Sequence, residues 1–121
     1  MTEFALIVPV FFLIVFAILA FGRAYQRLNV LTGALRDGAR FASAQFLPCG
    51  SPTAVRTRVD LYASGFGVPL DTSQVTVVCG GASVSVGVNN YALFSDLNLF
   101  GLDAQTVTRA AVFRCEVESS C

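Results

Sequence analysis

The chain contains no histidine, no lysine and no tryptophan among its 121 residues. Histidine is the commonest general base and the commonest metal ligand, so its absence removes the usual basis for acid–base catalysis and for a metal centre. Without histidine or lysine, no standard base stands beside a serine, threonine or cysteine nucleophile. We therefore expect a protein that is not an enzyme and that uses no cofactor, no metal and no small-molecule substrate.

Charged residues are also scarce, at 13% of the chain, and eight arginines balance eight acidic residues for a net charge of zero. Nucleic-acid-binding domains usually carry a basic excess on one face, so this balance argues against a nucleic-acid partner. The glycines of Gly80-Gly81 and Gly65-x-Gly67 are typical of turns, because no phosphate-binding helix with a lysine follows them. The composition therefore points away from catalysis and from the binding of polyanions.

What the chain does have is a long apolar segment, residues 4–22, without a single charge. At 1.5 Å per residue this segment forms roughly 28 Å of helix, about the thickness of a bilayer core. Glu3 stands before it, and Arg23 and Arg27 follow it. A cleaved secretory signal has a basic flank and a shorter apolar core, so we expect the segment to be retained. Its two possible environments are lipid and a bundle of identical helices.

Four cysteines follow the apolar segment: Cys49, Cys79, Cys115 and Cys121. An even number of cysteines beyond a membrane-length segment favours disulfides in an oxidising compartment, and the lack of a CxxC pair disfavours zinc. Three pairings are possible; we favour a short terminal loop from Cys115 to Cys121 and a second bridge from Cys49 to Cys79. By the positive-inside rule Arg23 and Arg27 would favour a cytoplasmic head, but we give the cysteines more weight.

The helical pattern continues beyond the apolar segment, from residue 3 to residue 46, for a total of roughly 65 Å. Pro48 ends it, because the residue before a proline avoids helical geometry. Gly33 and Gly38 each cost about 1 kcal/mol in a helix interior, so they indicate either tolerated flexibility or the close approach of another element. The predicted buried face is Leu28, Leu31, Leu35, Ala39, Ala42 and Phe46, and the arginines Arg23, Arg27, Arg36 and Arg40 lie elsewhere on the cylinder.

A second, short helix is predicted after Ser51, which is a suitable N-cap, with Pro52 at the first helical position. Gly65 and Gly67 are expected to end it. Its predicted apolar face consists of Val55, Val59, Tyr62 and Phe66.

Three strands are predicted in the remainder of the chain. Residues 75–78 form a β-branched run, Gly80-Gly81 indicates a hairpin turn, and alternating valines over residues 84–88 indicate a half-buried strand that Asn89-Asn90 ends. Residues 107–117 form the last strand, with Thr106, Thr108 and Arg114 as polar members. The apolar residues between 91 and 103 either pack over the core or, if exposed, form an interface.

Together these elements predict an α+β fold: a long hydrophobic helix that extends into a small head, with a second helix and an antiparallel sheet of three or more strands. Residues 1–22 form the membrane or filament-core segment. Residues 23–47 form an amphipathic extension that packs on the head. Residues 48–121 form a disulfide-bonded head domain.

Two residues of the apolar helix carry alternative interpretations. Glu3 either favours the positive N-terminal end of its own helix or, once the helix is surrounded by other apolar helices, pairs with a neighbouring subunit's free amino terminus. Pro9 removes one backbone hydrogen bond and crowds the carbonyl of Ala5. It therefore indicates either a simple kink or a place where the helix stretches during assembly.

The stretch TEFALIVPVFFLIVFAILAFGRAY resembles the N-terminus of TadE-like pilins, which belong to the tight-adherence pilus systems of bacteria. The resemblance rests on Glu3-Phe4-Ala5-Leu6, Pro9 and Phe21-Gly22-Arg23, with weaker likeness at Gly38-Ala39-Arg40 and in residues 107–116. The wider type IV pilin class places this glutamate at about the fifth mature residue after a leader. Its third position here predicts either a trimmed chain or a processing enzyme other than prepilin peptidase.

The resemblance implies a type IV pilin-like structural subunit of an extracellular pilus with a role in surface adhesion. Such a subunit is inserted in the inner membrane through residues 4–22 and is then drawn into a filament, so its partners are the membrane, the assembly platform and copies of itself. The implied assembly residues are Glu3, Phe4, Pro9, Phe12, Phe16, Phe21, Gly22 and Arg23. The alternatives are a membrane-anchored accessory protein that primes or docks the machine without polymerising, and a secreted module released near Gly22.

Overall fold

The computed structural model describes residues 2–44, 51–93 and 106–115. Helix α1 (Thr2–Ala44) is followed by helix α2 (Pro52–Gly65), a 3-10 turn (Thr72–Gln74) and the strands β1 (Val75–Gly80), β2 (Ser83–Ala92) and β3 (Thr106–Arg114). The strands form one antiparallel sheet in the order β1-β2-β3. The predicted α+β architecture, with a long apolar helix extending into a small pilin-like head, is confirmed.

Helix α1 is continuous through Pro9 and has 43 residues, or about 64 Å of helix. Its first half has no buried side chain among those that the structure describes, whereas its second half packs on the sheet and on α2. Ala24 is the first buried side chain among the described residues of the helix. Of the predicted face, Leu31, Leu35, Ala39 and Ala42 are buried, Leu28 is half-buried, and Phe46 lies outside the described residues, as does Pro48.

The two glycines in the second half of α1 lie where α2 crosses it. A Cβ atom at Gly33 would come within 3.1 Å of the Tyr62 hydroxyl, and one at Gly38 would collide with the Val59 side chain. The close-approach interpretation is therefore correct for both positions. The same contact is reinforced at its edge, where Arg58 donates from Nε to the Asp37 carboxylate at 2.9 Å.

Helix α2 ends as predicted but begins and packs differently in detail. Ser51 occupies the N-cap position, yet its side chain makes no capping hydrogen bond; its backbone carbonyl accepts from Ala54 N–H instead. At the other end, Gly67 adopts φ +69° and the N–H groups of Gly67 and Val68 close a Schellman motif on Ser64 and Ala63.

The predicted apolar face of α2 is wrong at its last member. Val55 and Val59 are fully buried and Tyr62 packs against the core, but Phe66 is 57% exposed. Phe66 is the C-cap residue, whose backbone has left helical geometry, so the helical spacing no longer fixes its direction. Ala63 takes the buried position instead.

The β1–β2 hairpin turns one residue later than predicted. Gly80 pairs with Ser83, so the two turn residues are Gly81 and Ala82 rather than Gly80 and Gly81. Of these two turn residues only Gly81 has positive φ (60°), as a type II′ turn requires at its first central position. Before β1, Ser73 N–H donates to the Asp71 carboxylate at 2.9 Å, and this hydrogen bond holds the pKa of that carboxyl below its ordinary value.

The prediction that Asn89-Asn90 ends the second strand is wrong. The register between β2 and β3 shifts between Val88 and Tyr91, and Asn90 adopts φ 56°. The two asparagines therefore form a bulge, and β2 resumes pairing at Tyr91 and continues to Ala92. Asparagine tolerates the left-handed region that an irregular position of this kind needs.

The core lies between the sheet and the two helices. Val84, Val86 and Val88 are fully buried, which confirms the alternating pattern of the second strand. In β3 the polar members Thr106, Thr108 and Arg114 are exposed. Residues 116–117 of the predicted strand lie outside the described part. Tyr91 is buried and Leu93 packs against the core, while residues 94–103 of this segment lie outside the described part.

Candidate assembly surface

The largest apolar surface of the described chain is the stalk, which we define as residues 4–22 of α1. None of the described residues outside the stalk covers it, and twelve of its large hydrophobic side chains are between 52% and 76% exposed. They are Phe4, Leu6, Ile7, Val10, Phe11, Phe12, Leu13, Ile14, Phe16, Ile18, Leu19 and Phe21. Val8 and Val15 are half-buried. Soluble monomers rarely expose an apolar surface of this extent, so the stalk requires lipid or other protein around it.

The exposed residues surround the whole helix rather than forming a stripe. A helix that packs on one partner has one apolar face, whereas one surrounded by lipid or by other helices is apolar on all sides. By length and composition, the segment Leu6–Ala44 contains a stretch that is able to cross a membrane. The structure therefore supports a membrane-anchored helix at the N-terminal end.

The predicted assembly residues are distributed along this stalk rather than gathered at one point. Phe4, Pro9, Phe12, Phe16, Phe21, Gly22 and Arg23 are all exposed. Two of them touch, because the Phe12 and Phe16 rings lie 6.3 Å apart between centroids, and Phe12 also meets Phe11 edge-on at 6.1 Å. The remainder are spaced over about 30 Å, so they form a continuous surface and not a compact site.

Glu3 lies in the first turn of α1, and its side chain is outside what the structure describes. The first-turn position fits the helix-dipole interpretation. Arg23, at the far end of the stalk, is 20 residues away, or about 30 Å along the helix. Arg23 of the same chain therefore does not neutralise the Glu3 carboxylate, and the pairing of Glu3 with a neighbour stays a prediction.

The stalk joins the head through a contact that the sequence does not indicate. Arg27 donates from Nη1 to the backbone carbonyl of Leu93 at 3.2 Å, just beyond the end of β2. Together with the buried Ala24, this hydrogen bond fixes the point where α1 meets the sheet. The helical spacing placed Arg27 away from the predicted buried face, and no local pattern shows that its partner lies 66 residues away.

Two of the four cysteines are described, and the sheet separates them. Cys79 lies on β1, and Cys115 follows β3 with its N–H donating to Ala82 at 2.8 Å. Because β2 lies between these strands, their Cα atoms are about two strand spacings, or roughly 9–10 Å, apart. A disulfide spans at most about 7 Å between Cα atoms. The geometry excludes a bridge from Cys79 to Cys115, one of the three possible pairings.

In both remaining pairings, Cys79 and Cys115 each bond to a cysteine outside the described residues, Cys49 or Cys121. The disulfide pairing therefore stays a prediction. We expect non-reducing peptide mapping to find no link between Cys79 and Cys115. Trypsin alone leaves Cys115 and Cys121 on one peptide, so a glutamyl endoprotease that cuts after Glu116 and Glu118 is also needed. A peptide joining Cys79 to Cys115 would contradict the strand order.

Comparison of the sequence with models of known protein families finds a match at the N-terminal end of the chain, which includes the stalk. The family model of TadE-like proteins matches residues 1–40, about a third of the sequence. This match confirms, over that segment, the resemblance predicted from the sequence. It spans the whole stalk and ends within the part of α1 that packs on the sheet. No curated protein and no solved structure matches the chain.

Proposed function

We propose that this chain is a structural subunit of an extracellular tight-adherence pilus and that it polymerises through its stalk, with a role in surface adhesion. The family match suggests a component associated with such a pilus. The observation that carries the proposal is the stalk itself: it is apolar on every face, no described residue outside it covers it, and it is continuous with a helix anchored in a folded head. The proposed role is structural and involves no catalytic step.

The two environments of the stalk follow from its chemistry. Lipid chains and the side chains of neighbouring helices are equally apolar, so moving the stalk from the inner membrane into a bundle changes its hydrophobic burial little. In the membrane stage the head lies on the outer side of the inner membrane. In the filament the stalks of many copies form the core, the heads form the extracellular surface, and the assembly platform drives the transfer.

Electron microscopy of material sheared from producing cells, with mass spectrometry of the same fraction, tests this proposal. We expect thin fibres composed mainly of this chain. If the chain is absent from the sheared fraction and remains in membranes, it does not polymerise, and the structural-subunit proposal fails.

Glu3 provides a second test. A lone carboxylate surrounded by apolar helices is costly unless a cation neutralises it, so we propose that it pairs with the amino terminus of a neighbouring copy. Glu3→Ala is expected to reduce the number of fibres without changing the melting temperature of the head, because Glu3 and the head lie at opposite ends of the stalk. Glu3→Asp retains the charge and is the matched control. A normal fibre count from Glu3→Ala would exclude the pairing.

The second candidate function is a membrane-anchored accessory protein that primes or docks the machine without polymerising. The head favours it through exposed apolar side chains, among them Leu61 at 63% and Val78 at 60%. These positions suit contacts with other pilus components. The shearing experiment separates the two candidates, because an accessory protein stays with the membrane fraction.

A further inference from the structure

The end of the head that faces the stalk carries exposed aromatic side chains. Tyr25 is 68% exposed and lies only three residues beyond the stalk, or about 4.5 Å along α1. The headgroup layer on each side of a bilayer core is roughly 5–7 Å thick. With the stalk spanning the core, Tyr25 therefore lies within this layer.

Helix α2 brings a second aromatic residue toward the same level. It runs antiparallel to α1, because Arg58 meets Asp37 and, one turn later, Tyr62 meets Gly33. One further turn places Phe66 level with about residue 29, roughly 10 Å beyond the stalk. This level is about 3–5 Å outside the headgroup layer, a gap that a phenylalanine side chain is long enough to bridge. Phe66 is 57% exposed, and its ring centroid lies 5.3 Å from that of Tyr62.

The charges that follow the stalk along α1 have one sign. Arg23 is exposed between the stalk and Tyr25, and residues 22–30 contain no acidic residue. An arginine beside lipid phosphates is favourable, and tyrosine suits the boundary because its ring is apolar and its hydroxyl is polar. We name Arg23, Tyr25 and Phe66 the membrane-proximal rim.

We propose that the membrane-proximal rim contacts the headgroups of an anionic bilayer while the stalk is inserted, and so holds the head against the membrane surface before assembly. This inference rests on the membrane stage of the proposed function. Rim side chains that contact lipid lose that contact when the subunit leaves the membrane.

The absence of tryptophan from the natural chain provides a direct test. Single-tryptophan variants of the full chain are reconstituted in vesicles of phosphatidylcholine and phosphatidylglycerol that carry bromine at defined acyl carbons. The four variants are Leu13→Trp in the stalk, Tyr25→Trp and Phe66→Trp in the rim, and Val78→Trp on the sheet. The four native side chains are exposed to a similar degree, 57–70%, so lipid contact is what separates the variants.

We expect Leu13→Trp to be quenched most by deep bromines and Tyr25→Trp most by shallow ones. Phe66→Trp should be quenched less than Tyr25→Trp but more than Val78→Trp. If Leu13→Trp is quenched but the rim variants are quenched no more than Val78→Trp, the stalk inserts in the membrane and the rim does not contact lipid. That result would overturn the rim proposal and leave membrane insertion intact. An unquenched Leu13→Trp would overturn insertion and the rim together. The Tyr25→Trp indole could instead be shielded from water without bromine quenching, to a degree that rises with the number of protein chains per vesicle. That result would assign the surface to a second copy of the chain and would also overturn the proposal.

Discussion

Phe16→Arg is expected to abolish fibres while the variant chain remains in the membrane fraction. An arginine near the centre of a membrane helix costs about 3 kcal/mol on insertion scales, and the other apolar residues of the stalk offset this. In a bundle the same charge is repeated in every copy and has no partner in the apolar core. A single arginine in the stalk is therefore tolerated in the membrane but not in the core of the filament.

The matched control is Val112→Arg on β3. Phe16 and Val112 are equally exposed, at 65% each, so in water the two substitutions would be equivalent. We expect Val112→Arg to leave the fibre count unchanged and to alter head stability by no more than about 0.5 kcal/mol, as is usual for surface positions. Fibre counts by electron microscopy and chain quantity in the membrane fraction measure both effects. Equal fibre counts from the two variants would contradict assembly through the stalk.

Gly38→Leu is expected to destabilise the head by about 3 kcal/mol, the upper part of the range for overpacked cores. Even a Cβ atom at this position would collide with Val59, which is fully buried in α2. The two helices then separate, or the Leu side chain forces its neighbours out of their preferred rotamers. Thermal unfolding followed by circular dichroism in detergent micelles should show a melting temperature about 10–20 °C lower.

Gly22→Leu is the matched control in the same helix. A Cβ atom at Gly22 would meet nothing within 4 Å, so the larger side chain gains helix propensity, up to about 1 kcal/mol, without a clash. We expect its melting temperature to be unchanged or slightly higher. If both glycine variants lower the melting temperature equally, the effect does not come from the α1–α2 contact.

Much of the fold follows from local patterns. The charge-free run predicts the stalk, the Ser51-Pro52 and Gly65-x-Gly67 signals predict the limits of α2, and the alternating valines predict β2. These predictions are correct because each depends on residues that are close together in sequence. Most of the proposed assembly surface is likewise local, since a helix that is apolar on all sides exposes the same residues whatever the head does.

The errors arise where a local signal has more than one structural outcome. Asn89-Asn90 favours irregular backbone, which either ends a strand or forms a bulge within it. The outcome depends on β3, which resumes pairing with β2 at Tyr91. Phe66 continues a helical spacing, but the helix has already ended. The glycine pair predicts a turn, and the strand register places that turn one residue later.

The sequence alone determined that this chain has a membrane-length apolar helix, no histidine or lysine for catalysis, and a small α+β head. Composition and short-range periodicity are sufficient for such properties. Only the tertiary structure decided that Arg27 holds the carbonyl of Leu93, that Gly38 is required by Val59, and that Cys79 and Cys115 are too far apart to pair. Each of these depends on the distance between groups far apart in the chain, which packing sets and no local pattern records.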